Sequence, residues 1–145
     1  MLIESTVTID QYNPVLSAIA REARAGLPVF FRHMIRPEAG ESHFYIKHPF
    51  TEFSETGVST EQIWLTDIRF RDGRYYGALA NNPVFLSGMR RGDTVHFSAD
   101  EVTDWMFLRN GEIVGGQSIK YLLQQIPEEQ RTDSQNNLLQ MFSVP

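Results

Sequence analysis

The order of patterns along the chain predicts an α+β fold: an N-terminal helix, a curled antiparallel β-sheet meander, then one or two C-terminal helices. Three observations carry this. Helical spacing over residues 13–25 gives way to strand-like runs from residue 29. Asp72-Gly73 and Asn110-Gly111 each separate two such runs, a strong short-range hairpin signal. Helical spacing returns after residue 117. Runs of one element type, rather than alternation, favour α+β over a doubly wound parallel sheet. The 145 residues suit one domain, 1–145, able to bury about 68–70% of its unfolded surface without metal or disulfide.

Each element has a local reason. Asn13 can cap a helix, and Pro14 suits its first position, where an N–H has no partner. Val15, Ile19 and Ala23 share one helical face, with Leu16 and Ala20 beside them. Gly26-Leu27-Pro28 is expected to stop that helix. Residues 29–35 are aromatic and β-prone and are expected to form a strand, with residues 44–50 as the next. Residues 51–60 read as a long loop. Residues 63–70 and 75–79 flank the Asp72-Gly73 turn. Residues 94–97 follow a turn at 89–93, and residues 102–108 lead into Asn110-Gly111. Residues 118–125 read as a helix with Ile119, Leu122 and Leu123 on one face. Pro127 interrupts it, and the polar centre of residues 128–141 leaves a further helix marginal.

Composition removes more chemistry than it supplies. The absence of Cys excludes disulfides, thiolate metal sites and a Cys nucleophile. Residues 1–10 lack a basic start followed by an apolar core, so no signal peptide is expected, and the cytoplasm is the default compartment. No apolar run reaches the ~18 residues of a membrane span. The net charge of -5 hides segregation. Residues 37–61 sum to -4, residues 69–91 to +4 and residues 92–145 to -5. Such blocks either neutralise one another across neighbouring strands or present a docking face of one sign. The cations are 11 Arg and 2 Lys, which suits forked ion pairs or an interface.

Motif searches return nothing: no phosphate-binding glycine loop, no H-E-x-x-H, no nucleophile elbow. Of the four histidines, His43 and His48 are expected on opposite strand faces, so a metal site would need His33 or His96 to join one of them. Glu52 and Glu55 could pair as acid and base, but a polar loop favours solvated charges. Arginines interleaved with Phe70, Tyr75 and Tyr76 have the ingredients of a base-stacking surface, yet core packing explains these aromatics better in an acidic chain.

Several patterns occur in order: Glu61-x-x-Trp64, Gly77-x-Leu79-x-Asn81-x-Pro83, Gly92-Asp93-x-Val95, Asp104-Trp105-Met106 and Gly115-Gly116. Together they resemble the YegJ-like family of bacterial proteins, a domain of unknown function, and Phe44-Tyr45-Ile46-Lys47 looks like its opening strand. The resemblance spans about residues 28–120, with a helical extension over about 117–145. Gln117-Ser118-Ile119-Lys120 departs from the family pattern. The resemblance implies a fold unit and no reaction.

The resulting expectation is a non-enzymatic binding protein, most concretely an immunity protein that neutralises a bacterial toxin with a basic surface by direct contact. Glu38, Glu41, Glu52 and Glu55 are the expected interface residues, placed in exposed loops. One alternative is a small-molecule pocket near Trp64, Asp104 and Trp105. Another is a hydrolase with His33, His43, His48 or His96 close to an acid in a cleft. No catalytic residue, cofactor, metal, nucleic-acid partner or membrane partner is expected.

Overall fold

Residues 13–142 are described by a computed structural model. Residues 1–12, where the export-signal reading falls, and residues 143–145 lie outside the described residues. Helix α1 (Pro14–Ile35) starts as expected: the Asn13 side chain accepts hydrogen bonds from the Val15 and Leu16 N–H groups at 2.8 and 3.2 Å. It then runs straight through Gly26-Leu27-Pro28, so residues 29–35 are helix rather than the expected strand. Two facts explain the correction. Pro28 faces solvent, where water can satisfy the carbonyl whose intrahelical partner it removes. Ala20, Ala23, Leu27 and Phe30 are buried along one stripe at helical spacing, and tertiary burial outweighs a local stop signal. Gly26 is a packing residue: a Cβ there would lie 3.1 Å from the Trp105 ring.

Six strands follow: β1 (Glu41–Ser54), β2 (Gly57–Arg71), β3 (Arg74–Leu79), β4 (Thr94–Phe97), β5 (Asp104–Arg109) and β6 (Glu112–Gly115). They form one antiparallel sheet in the order β4-β3-β2-β1-β5-β6. Both expected hairpin turns are present. Asp72 and Gly73 have φ of 52° and 78°, Asn110 and Gly111 51° and 80°, the paired positive angles that match strand twist. The expected long loop over residues 51–60 is instead the end of a continuous β1–β2 hairpin, paired out to Ser54 and Gly57.

Helix α2 (Gln117–Gln125) and helix α3 (Asp133–Gln140) close the chain. Pro127 does separate them, and residues 128–130 form a short 3-10 turn. Thr132 and Gln135 then cap α3 reciprocally, which lets a polar segment start a helix. The sheet separates two cores. On one face α1 packs Leu27 and Phe30 against Ile46, Ile63, Leu65, Leu79 and Phe107. On the other, α2 packs Ile119 and Leu123 against Trp64, Met106 and Ile113. No described helix is long and apolar enough to cross a membrane.

Candidate functional site

Strand register decides where the sequence-selected residues fall. Lys47 lies opposite Trp64 on β2 and Asp104 on β5, so these three share the α2 face of the sheet. Trp105 is the next residue along and points to the α1 face, where it stacks near Phe30 and Phe107 and donates its indole N–H to the Ala23 carbonyl at 2.9 Å. Trp64 and Trp105 therefore sit on opposite faces, and no one pocket includes both. This corrects the pocket expectation: a shift of one residue along a strand exchanges faces.

The Trp64 side holds a buried polar chain instead. The Lys47 ammonium donates to Ser118 Oγ at 3.1 Å and lies 5.6 Å from the centre of the Trp64 ring. Ser118 donates both its hydroxyl and its backbone N–H to Asp104 Oδ2, while Asp104 Oδ1 accepts from the Trp105 N–H. Asp104 thus caps α2 from a neighbouring strand, a job its N-cap Gly116 cannot do. Burial pushes the Lys47 ammonium down and the Asp104 carboxyl up, and their mutual attraction opposes both shifts. Lys47, Ser118 and Asp104 are each at least 95% buried, so this group ties the helix to the sheet and offers nothing to a substrate.

The four interface glutamates do not assemble into one surface. Glu38 precedes β1 and Glu55 follows it, which places them roughly 40 Å apart at about 3.3 Å per strand residue. Glu41 is buried, contrary to its expected place in an exposed loop. One of its oxygens accepts from the Glu38 N–H and meets His33 Nδ1, both at 2.9 Å. The other accepts two hydrogen bonds from Arg109, at 2.9 and 2.8 Å. Burial pushes the Glu41 carboxyl up, but the Glu38 N–H, Arg109 and His33 outweigh it and hold it at about 2. His33, Glu38 and Glu41 are also the group among the described residues whose donor atoms could surround a metal ion. Glu41 already serves Arg109, so a cation would have to compete with that guanidinium.

The other histidines do not form a reactive pair. His48 is buried between Phe50 and Phe97, and its Nε2 accepts from the Ser98 N–H at 3.3 Å. Burial pushes its pKa down, against the pull of Glu101 3.9 Å away. His43 and His96 are exposed.

Glu52 does something the sequence reading missed, together with Glu61. The β1–β2 hairpin outruns its neighbours: β5 pairs with β1 no further than Lys47, and β3 pairs with β2 no further than Leu65. Residues 49–62 therefore form a two-stranded arm, a unit marginally stable by itself. Residues 84–88, which link β3 to β4, lie against one face of it. Glu61 accepts from the backbone N–H groups of Val84, Phe85 and Leu86 at 2.8, 2.7 and 3.3 Å. Glu52 accepts from the N–H groups of Ser87 and Gly88 at 3.1 and 2.9 Å, and from the Ser87 hydroxyl at 3.0 Å. The Gly88 and Ser87 donors hold the Glu52 carboxyl below the usual range. Two carboxylates so fix five consecutive amides, leaving Val84 69% and Phe85 66% exposed. Across the arm, Phe53 and Val58 form a cross-strand pair, 79% and 62% exposed.

Comparison with known proteins places this geometry in a lineage. A model of a family described as "Uncharacterized protein conserved in bacteria (DUF2314)" matches residues 13–139. The chain is similar to uncharacterized protein YegJ of Escherichia coli strain K12, 26% identical over 136 residues, covering 94% of this chain and 85% of that protein. It is also similar to a putative ankyrin repeat protein of Neisseria meningitidis serogroup B, 40% identical over 89 residues. That match covers 61% of this chain and 35% of the relative, so the shared part is about a third of that longer protein. No solved structure matches. The family match takes in α1 and α3 as well as the sheet, wider than the span of 28–120 read from motifs, and the chain belongs to this bacterial family of unknown function, DUF2314.

Proposed function

We propose that this chain is a protein-binding module that acts through its β1–β2 arm, and that it neutralises a basic partner by contact, as an immunity protein does a toxin. The observation that carries the reading is the loop over residues 84–88, held by Glu52 and Glu61 while Val84 and Phe85 face solvent. Large apolar side chains on a rigidly held loop lose little conformational freedom on binding, the usual way to raise affinity without adding area. With Phe53 and Val58 on the opposite face, the arm suits a partner that clasps it. Residues 49–62 carry Glu52, Glu55 and Glu61 and no Lys or Arg, so a basic rim on the partner would be drawn to it. The match to one third of a longer, ankyrin-named protein supports a portable domain that works beside other binding units.

The test is co-expression with the product of the adjacent gene in a growth assay. Wild type is expected to co-purify with that product and restore growth where it is toxic, and Val84→Ser/Phe85→Ser to do neither while keeping the wild-type thermal melt. Equal rescue by the variant would place the contact elsewhere, and no complex with the neighbouring product would remove the neutralisation reading.

A further inference from the structure

Far from the arm, the α2 face of the sheet carries an open cavity of about 570 Å³ that no residue of α2 or α3 lines. Asp67, Arg69, Arg71, Tyr76 and Thr94 contribute to its wall. Its volume falls within the roughly 300–1,000 Å³ typical of small-molecule sites.

The arginines are there because of a bulge. Before residue 67, even-numbered β2 residues such as Trp64 and Thr66 face this side. Asp67 takes a left-handed conformation, φ 53°, and the register slips by one residue between the Thr66–Ala78 and Arg69–Tyr76 pairs. Past the bulge, odd-numbered residues face this side, so Arg69 and Arg71 line the cavity, while Phe70, which also borders it, packs its ring against Tyr75. Without the extra residue both arginines would point at the α1 core. A bulge is a recurrent means of re-aiming side chains beside a binding site, and a left-handed aspartate carries a conformational cost.

The resulting charge arrangement is incomplete. Arg71 lies directly opposite Arg74, a like-charge cross-strand pair that disfavours the hairpin. Among the described residues neither has a carboxylate within salt-bridge distance, whereas Arg69 is paired with Asp67 at 3.0 Å. Arg71 instead rests its guanidinium 5.8 Å from the centre of the Tyr76 ring, which holds the fork at the cavity wall.

We infer that this cavity is a binding site for a small organic anion, whose carboxylate or phosphate group is held by the Arg71 fork with Arg69 beside it and whose body lies along Tyr76. A bound anion would relieve the Arg71–Arg74 repulsion, and a forked guanidinium suits planar or tetrahedral oxyanions. The site shares no residue with the arm, so it stands or falls separately from the proposed protein contact.

Calorimetric titration of the full chain tests it, with succinate, inorganic phosphate and adenosine monophosphate as three probes at matched ionic strength. Saturable binding of at least one is expected. A dicarboxylate response identifies the carboxylate source, and responses to phosphate and the nucleotide identify the phosphate source. Arg71→Gln is expected to weaken binding by about ten-fold or more, the loss of one charge-assisted contact, and Arg71→Lys by less. Arg21→Gln, the same charge change on the exposed face of α1, is expected to leave it unaltered. Without ligand, the thermal melts of Arg71→Lys and Arg21→Gln are expected to match wild type and that of Arg71→Gln to match or slightly exceed it, since it removes the repulsion from Arg74. No saturable binding by any probe, or equal weakening by Arg71→Gln and Arg21→Gln, would overturn the inference.

Discussion

The two halves of the β1–β2 hairpin are one continuous ladder with opposite surroundings. In the inner half, Ile46, Ile63 and Leu65 are fully buried, and Lys47 and Trp64 lie beneath α2. In the outer half, from Pro49 to Gln62, no third strand pairs, and Phe53 is 79% exposed. The inner half is held by burial on both faces of the sheet. The outer half is held by two carboxylates gripping a loop from another part of the chain. Stability is thus concentrated in one half, and the other is free to present apolar side chains without unfolding the molecule.

Substitutions should separate the halves. The largest effect is expected from Trp64→Ala, which empties a buried site and should lower unfolding free energy by about 3–5 kcal/mol in urea titrations. A loss under about 1 kcal/mol would deny Trp64 its place in the core. Acid should act next, through Glu41. Its folded pKa of about 2 lies below the ordinary 4.5, so its contribution is complete above about pH 4.5 and is lost as pH falls toward 2. Glu41→Gln should flatten that part of the stability–pH curve, measured by thermal melts, and an unchanged slope would assign acid sensitivity to other groups.

Glu61→Ala should cost about 1–2 kcal/mol, the range for losing a carboxylate that satisfies backbone N–H groups. Hydrogen exchange should quicken at amides 84–86 and stay slow at Ile46 and Leu65; uniform quickening would mean that the arm and the core are a single cooperative unit. The smallest stability effect should come from Phe53→Ser, within about 0.5 kcal/mol, since nothing covers the ring.

Legibility in the sequence followed how local each cause was. Asp72-Gly73 and Asn110-Gly111 announced their hairpins because positive φ is a property of those residues themselves. Gly26-Leu27-Pro28 misled because what carries α1 onward is the burial of Leu27 and Phe30 against strands distant in sequence. The span over 51–60 looked like a loop because a solvated arm buries neither face, and Phe53 and Val58 alone do not make the alternation of a half-buried strand. The Glu61-x-x-Trp64 pattern marked the right residue without its task, since the Glu61 partners are backbone amides, which leave no signature in side-chain identity. Glu41 was misplaced for a related reason: its charge suggested exposure, and the Arg109 that neutralises it comes from β5. The bulge at Asp67 had no visible signal, because aspartate is uncommon, not forbidden, at positive φ.

The arm as a protein contact is tested most directly by quantitative co-purification of the neighbouring gene product with wild type and with Phe53→Ser/Phe85→Ser, each at matched folded concentration. Retention by wild type and loss by the variant is the expected result. Equal capture by both proteins would contradict it.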